Sequence, residues 1–310
     1  IAYKYEVEYF NSMDKLNVLR PSISCRATGF VYDMIETVKD IIEKGFGYVT
    51  KEGNVYFDVR KYKAYGQLSN RKLDEAVSGE RIEVATDKRN PEDFALWKAV
   101  DENTLMQWDS PWGKGCPGWH IECSAMSRKH LGKTIDIHAG GADLIFPHHE
   151  NEIAQSECAN GCKFVNYWLH NGFVTINKEK MSKSLGNFLT IDDMLKLYDA
   201  NTIRFFILTN HYRMPVEFSD EALQAASNGV KRMLNAKQTK LDESLDLTQF
   251  EEYKEFVNAM DDDMNTSKAL AVLFDLATKA NKDVDYAFTL LHKLATTLGF
   301  TFEKAQLSED

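Results

Sequence analysis

Between Trp119 and Glu152 the chain gathers one thiol (Cys123), four imidazoles (His120, His138, His148, His149) and several carboxylates. Pro147 suits the first turn of a helix, where its missing N–H is not needed. A helix starting there puts His148 and Glu152 at i and i+4, on one face and one turn apart. At that spacing an imidazole nitrogen and a carboxylate oxygen converge on one ion, and Cys123 supplies a thiolate from a separate element. Three ligands of N, O and S type with one position left over suit Zn²⁺. His149 and Asn151 then point elsewhere. A second reading makes the same His and Glu ordinary capping and surface groups near a helix N-terminus. One Cys with His-x-x-x-Glu does not decide between the two.

A second constellation, Lys180-Met181-Ser182-Lys183-Ser184, is followed by Leu185-Gly186-Asn187. Such a polar loop can bring ammonium and hydroxyl groups onto phosphates; a solvated surface turn has the same composition. The pentapeptide is, letter for letter, the nucleotide-binding signature of the class I aminoacyl-tRNA synthetases. Together with Trp119–Cys123 and Phe146–Glu152 it makes the chain resemble the cysteinyl-tRNA synthetases. Arg26-Ala27-Thr28, Asp87-Lys88-Arg89-Asn90-Pro91, Phe94-Ala95-Leu96-Trp97-Lys98, Ser110-Pro111-Trp112-Gly113 and Met260-Asp261-Asp262-Asp263 extend the resemblance over most of the sequence.

The resemblance implies an α/β fold: a Rossmann-like class I catalytic domain with an α+β insertion and a C-terminal antiparallel helix bundle. It implies Cys123, His148 and Glu152 as zinc ligands. The fourth ligand is a cysteine on a first strand that this sequence does not contain. Lys180 and Lys183 are implied as the catalytic lysines, and Lys180, Met181, Ser182, Lys183 and Ser184 as the ATP contacts. The implied cofactor is Zn²⁺, and ATP is a substrate with Mg²⁺. The implied partners are L-cysteine and tRNA(Cys), in a cytoplasmic monomer with no membrane contact. The expected function is ATP-dependent ligation of cysteine to tRNA(Cys) through cysteinyl adenylate. The alternatives are a cysteine ligase acting on a small amine such as an amino-sugar, and a non-catalytic zinc- and tRNA-binding fragment. The resemblance also places a segment with His-x-Gly-His ahead of Ile1 and an anticodon-reading end beyond Asp310; His138-Ala139-Gly140-Gly141 is not that motif.

Composition narrows the field less. Hydrophobic residues at 44% and charged residues at 27% are ordinary for a globular chain. No apolar run approaches the ~20 residues that span a bilayer. Cys25, Cys116, Cys123, Cys158 and Cys162 are odd in number and lack a pairing pattern, which favours reduced thiols and a cytosolic setting. Cys158 and Cys162 form a CxxxC without a matching pair, so free thiols are the expectation. A net charge of −10 argues against a nucleic-acid partner on charge alone. RNA binding must then rest on local basic patches and depend strongly on salt. Lys51, Arg60, Lys61, Lys63, Lys88 and Arg89 are candidates, with a solvated face as the plainer reading.

The elements that must position these groups follow from periodicity. Tyr5, Tyr9, Phe10, Met13 and Leu16 recur at helical spacing in residues 1–19. Val31, Met34, Ile35, Val38, Ile41 and Ile42 stripe a helix over 30–44, which Gly45 stops. A hairpin is expected over 48–59, with Lys51-Glu52-Gly53-Asn54 as its turn. Polar helix and loop are expected over 69–84, and a buried strand at 94–97. Residues 123–130 read as a short helix, 134–138 as a strand followed by Gly140-Gly141, 146–159 as a helix and 167–176 as a strand. Ligands of open α/β sheets bind beyond the carboxyl ends of strands, which puts His138 and Asp143 at a site mouth. Trp119 reads as a pocket wall or as a core tryptophan. Helices follow at 191–199 (Thr190 as N-cap), 200–210, from Ser219 onward, and at 250–260, 265–280 and 284–298. The resulting domains are 1–24, the end of a first nucleotide-fold half, and 25–110, the insertion. After these come 111–178, the second half with the zinc site; 179–218, the signature loop and stem-contact region; and 219–310, the bundle.

Overall fold

The computed structural model describes residues 1–71, 87–182 and 186–302. The expectations for 72–84 and for Lys183 and Ser184 therefore lie outside the described residues. The chain forms two compact units, Ile23–His170 and Ile1–Ser22 with Asn171–Asp310.

In the Ile23–His170 unit the apolar stripe makes the expected helix, Val31–Glu43, with Met34, Val38 and Ile41 fully buried. Its face packs on Val55, Phe57, Leu96 and Trp97 of a four-stranded sheet, and on Ile121, Ala125, Ala154 and Cys158. The sheet runs Gly47–Val49, Val55–Phe57, Phe94–Ala99 and Gly115–Pro117, every neighbouring pair antiparallel. Its first two strands are the expected hairpin. A second pair of strands, Ile135–Gly141 and Val165–Asn171, stands beside helices Trp119–Leu131 and Glu150–Asn160.

Three boundaries differ from the sequence reading. The helix expected from Cys123 begins at Trp119, because Gly118 in an extended conformation launches it four residues earlier. A Cβ on Gly118 would lie 2.1 Å from the Ala95 carbonyl oxygen, so this close approach of helix start and strand needs glycine. The helix expected over 146–159 is α-helical only from Glu150. His148 sits in the preceding wide turn Ile145–His149, which kinks where Phe146 turns extended. The strand expected over 167–176 is two strands, Val165–Asn171 and Val174–Ile176, in different sheets. A Cβ on Gly172, between them, would lie 2.4 Å from the backbone of Met214.

In the other unit Phe205, Phe206, Leu223, Val230, Met233, Phe256, Leu273, Leu276, Leu290 and Leu294 share one core. The helices are Ala2–Lys15, Ala200–Leu208, Asp220–Leu234, Glu251–Asp261, Thr266–Ala280 and Ala287–Thr297, with a single turn at Ile191–Met194. Thr190, Asp199, Ser219 and Asn265 cap their helices by accepting backbone N–H bonds, as their side chains favour. Arg204 closes two helix ends. Its guanidinium donates to the carbonyls of Leu16, Asn17 and Leu298, at 2.5–3.2 Å, where helix dipoles are negative. Arg204→Met leaves those carbonyls without their donor and is expected to cost about 2–3 kcal/mol. Thermal unfolding checks this; an unchanged melting temperature contradicts it.

Candidate functional site

The Trp119–Leu131 helix carries Trp119, His120 and Cys123 on neighbouring positions of one face, at i, i+1 and i+4. The Ile145–His149 turn and the Glu150–Asn160 helix carry His148, His149 and Glu152. Packing of the two helices brings Cys123, His148 and Glu152 together, each ligand atom within 4.8 Å of the others.

Glu152 is the centre of the cluster and is fully buried. Its Oε2 lies 2.8 Å from His138 Nε2, and its Oε1 lies 2.8 Å from His148 Nε2. The first contact is a hydrogen bond. The second is not, and Oε1 is a buried oxygen without a hydrogen-bond donor among the described residues. The Cys123 sulfur lies within 4.8 Å of both the imidazole nitrogen and the carboxylate oxygen. An orphaned carboxylate oxygen, an imidazole nitrogen and a thiol so arranged fit a divalent cation of zinc type.

The surroundings bias the protonation of several of these groups. The His148 Nδ1 and His120 Nδ1 atoms lie 2.8 Å apart, so one of them carries the proton. Burial, and then the neighbouring His148, hold His120 down at about 4, which leaves it neutral and able to accept. Either ring can be the donor in this pair; with the proton on His148 Nδ1, its Nε2 carries a lone pair. Burial raises the Cys123 thiol to about 12, with Glu152 adding to the rise. A cation entering here must displace that proton. The Glu152 carboxyl is held below its ordinary range; burial opposes ionisation, but His138 and His148 outweigh it.

A second group, His138, His149 and Glu152, also brings its ligand atoms within 4.8 Å of one another. His149 Nδ1 lies 2.8 Å from His170 Nε2, and burial lowers His149 to about 4. Trp168 lies against His138, His149 and His170. A Cβ on Gly140 would stand 2.7 Å from the His149 ring, so glycine lets the strand approach it.

Outer contacts fix the second ligand helix. Glu150, also fully buried, accepts the N–H groups of Gly66 and Ser69. Tyr65 donates to Asn151 at 2.5 Å, and Ser124 donates to Gln155 at 2.7 Å between the two helices.

The expected site residues fall as follows. Cys123, His148 and Glu152 meet. His138 joins them through Glu152. Trp119 is 60% exposed, with its ring 4.6 Å from that of His148, and is not a core residue. Asp143 lies exposed in the turn Ala142–Leu144. His120, His170 and Trp168 were not singled out as site residues from the sequence. The signals were there: His120 stands three residues before Cys123 on one helix, and Trp168 and His170 alternate on one strand face.

In the other unit the signature stretch leaves a hairpin. Strands Val174–Ile176 and Glu179–Lys180 are joined by Asn177 and Lys178, both in left-handed backbone, as a two-residue turn requires. Met181 N–H bonds to the Val174 carbonyl at 2.9 Å. Ser182 N–H donates to Asn187 Oδ1 at 2.9 Å. The Lys180 ammonium lies 4.4 Å from the centre of the Phe173 ring.

Comparison with known proteins shows the family. The family described as "tRNA synthetases class I (C) catalytic domain" matches residues 1–228, and the DALR domain family matches residues 255–303. The cysteine–tRNA ligase of Thermodesulfovibrio yellowstonii is 51% identical over 302 residues, covering 92% of this chain and 62% of that protein. That of Clostridioides difficile is 48% identical, covering 92% and 64%. That of a Geobacillus species is 44% identical, covering 100% and 71%. The chain thus spans somewhat under two thirds of the length of the first two. Methionyl-tRNA synthetase of Mycobacterium tuberculosis bound by methionyl-adenylate shares the fold at a TM-score of 0.60 and 14% identity, over 94% of this chain and 76% of that one. A putative arginyl-tRNA synthetase from Campylobacter jejuni does so at 0.54 and 14%, over 93% and 63%. Among the described residues no helix is long and apolar enough to cross a membrane.

Proposed function

The chain belongs to the class I tRNA synthetases, in the cysteine–tRNA ligase family, and on that premise we propose that the full-length protein joins L-cysteine to tRNA(Cys) through cysteinyl adenylate. The observation that carries the reading is the convergence of Cys123, His148 and Glu152 beside an exposed tryptophan. A Zn²⁺ held by these three residues supplies a soft Lewis acid that takes a thiolate in preference to a serine hydroxyl.

The residues of this chain do the rest by placement. The Trp119 ring lies along His148 and walls the substrate side chain. Glu152 holds His138 by its Nε2 and faces His148 with its other oxygen. His120 Nδ1 stands 2.8 Å from His148 Nδ1 and orients that ring. In the first step the cysteine carboxylate attacks the α-phosphate of ATP, and pyrophosphate leaves. In the second, a terminal ribose hydroxyl of the tRNA takes the acyl group and AMP leaves. Such steps depend mainly on positioning and charge stabilisation. Lys180 and Lys183 are assigned to the charge on the departing pyrophosphate, with Mg²⁺ assisting. Met181, Ser182 and Ser184 are assigned to the nucleotide.

The three relatives at 44–51% identity named above are cysteine–tRNA ligases, so nothing favours transfer to a small amine. The test uses the full-length protein carrying this chain. Zinc near one per chain, cysteine-dependent pyrophosphate exchange and charging of tRNA(Cys) are expected. Retained zinc without exchange or charging overturns the reading and leaves a non-catalytic binding protein.

A further inference from the structure

We propose that Asp263 is a positioning residue: it latches the helical bundle to the hairpin that delivers Lys180, Met181 and Ser182. The proposal rests on reading that hairpin as the nucleotide-handling loop.

The first observation is local strain. Asp263 and Met264 follow the Glu251–Asp261 helix with φ of 55° and 53°, two consecutive non-glycine residues in left-handed backbone. Such conformations persist where the surroundings over-determine them, and they gather at functional sites. The surroundings here are explicit. Asp263 Oδ1 accepts from the Tyr212 hydroxyl at 2.7 Å, and Oδ2 accepts from Arg213 Nε at 2.6 Å. His211 Nε2 stands 3.7 Å from the same carboxylate. Three successive side chains of one loop thus converge on one acid. Asp263 falls within the DALR match and its partners within the catalytic-domain match, so the latch joins the two family domains.

The second observation is what that loop is sewn to. Gly172 N–H bonds to the Tyr212 carbonyl, Val216 N–H to that of Phe173, and Phe218 N–H to that of Thr175, at 2.7–2.8 Å. Val216–Glu217 pairs in parallel with Val174–Thr175. Glu217 then grips the hairpin at two places, accepting from the Thr175 hydroxyl and from Lys178 N–H in the turn. The hairpin's second strand leads directly into Met181 and Ser182. Each link from Asp263 to the signature stretch is therefore a bond or a strand pairing, with no gap.

The third observation separates positioning from plain stability. Arg213 and Asp263 are 51% and 43% exposed, and exposed ion pairs contribute little to folding. A contact that adds little stability, yet holds two strained residues and ties a loop across a domain boundary, acts on geometry. The latch orients the hairpin; it touches no reacting atom.

The test is Asp263→Asn in the full-length protein. Asparagine tolerates left-handed backbone and still accepts from Tyr212, but it loses the charge that holds Arg213. Expected are an unchanged melting temperature and zinc content, and faster amide hydrogen exchange over residues 174–182. The kcat of cysteine-dependent pyrophosphate exchange should fall roughly three- to thirtyfold, with KM for cysteine unchanged. Combining it with Glu217→Gln should give less than the product of the two single effects, since both act through one relay. Parent-like amide exchange over 174–182, a rate loss that tracks the unfolded fraction, or multiplying effects each overturn the latch. If the parent protein itself shows no pyrophosphate exchange, the enzymatic reading fails, and the amide-exchange arm still decides the latch.

Discussion

Cys123→Ser in the full-length protein is expected to lose bound zinc and the preference for cysteine over serine together. The substitution changes one atom and keeps the volume, so the helix and its packing on Ala154 and Cys158 should survive. What changes is ligand chemistry. A thiolate is soft and binds a zinc-type ion strongly, whereas a serine hydroxyl is hard and stays protonated. Of the three ligands this chain supplies, only His148 and Glu152 then remain, and Glu152 stays buried with one oxygen unpaired. Loss of affinity of at least ~100-fold is expected, because even outer partners of metal sites are worth roughly 10–100-fold. Discrimination should then collapse toward what pocket fit alone supplies, about 10–200-fold per small group. Metal content after dialysis and the ratio of kcat/KM for cysteine and serine in pyrophosphate exchange measure the two. A zinc-free variant with the parent's discrimination contradicts the account.

Lys180→Ala and Lys183→Ala are each expected to lower the pyrophosphate-exchange rate by roughly 10²–10³-fold, the typical cost of removing one preorganised charge-stabilising donor. Lys180 leaves the hairpin with its ammonium over the Phe173 ring, anchored by strand pairing with Thr175. Strand pairing and the ring contact hold its stem in place. Zinc content should not change, since the metal ligands belong to the Ile23–His170 unit and the lysines to the other. The double variant should lose less than the product of the single losses, as groups acting on one charge do. Parent-like exchange in both single variants would remove the lysines from the chemistry.

The helices that bury a continuous stripe were legible in the sequence. Val31–Glu43 and the caps at Thr190 and Ser219 stand where periodicity and hydroxyl side chains put them. Less legible was backbone set by a neighbour. Gly172 splits an apolar run into two strands because Met214 needs the space, and no local pattern signals that. The early helix start at Trp119 depends on Gly118 meeting the Ala95 carbonyl, a contact across 23 residues of sequence. His148 and Glu152 were read as one turn of a regular helix. They meet at the expected i, i+4 spacing, although His148 lies in a kinked turn ahead of that helix. What spacing could not supply was the network around them. His120 and Ser124 come from the Trp119–Leu131 helix, Trp168 and His170 from the Val165–Asn171 strand, and only packing brings them to His148 and Glu152. Composition misled on one point. A net charge of −10 weighs against an RNA partner, yet the family's substrate is a tRNA. Net charge bears on long-range attraction and leaves local sites undetermined.

The most direct test of the thiol-selecting site is to replace zinc by Co²⁺ in the full-length protein and to follow its sulfur-to-cobalt absorption on adding substrate. Cys123 is the thiol this chain brings to the cluster, and the band should grow further as cysteine is titrated and saturate near one equivalent. Serine should leave it unchanged. If cysteine binds and supports pyrophosphate exchange while the band does not move, the substrate thiol does not reach the metal, and the assignment of Cys123, His148 and Glu152 as the selecting site is wrong.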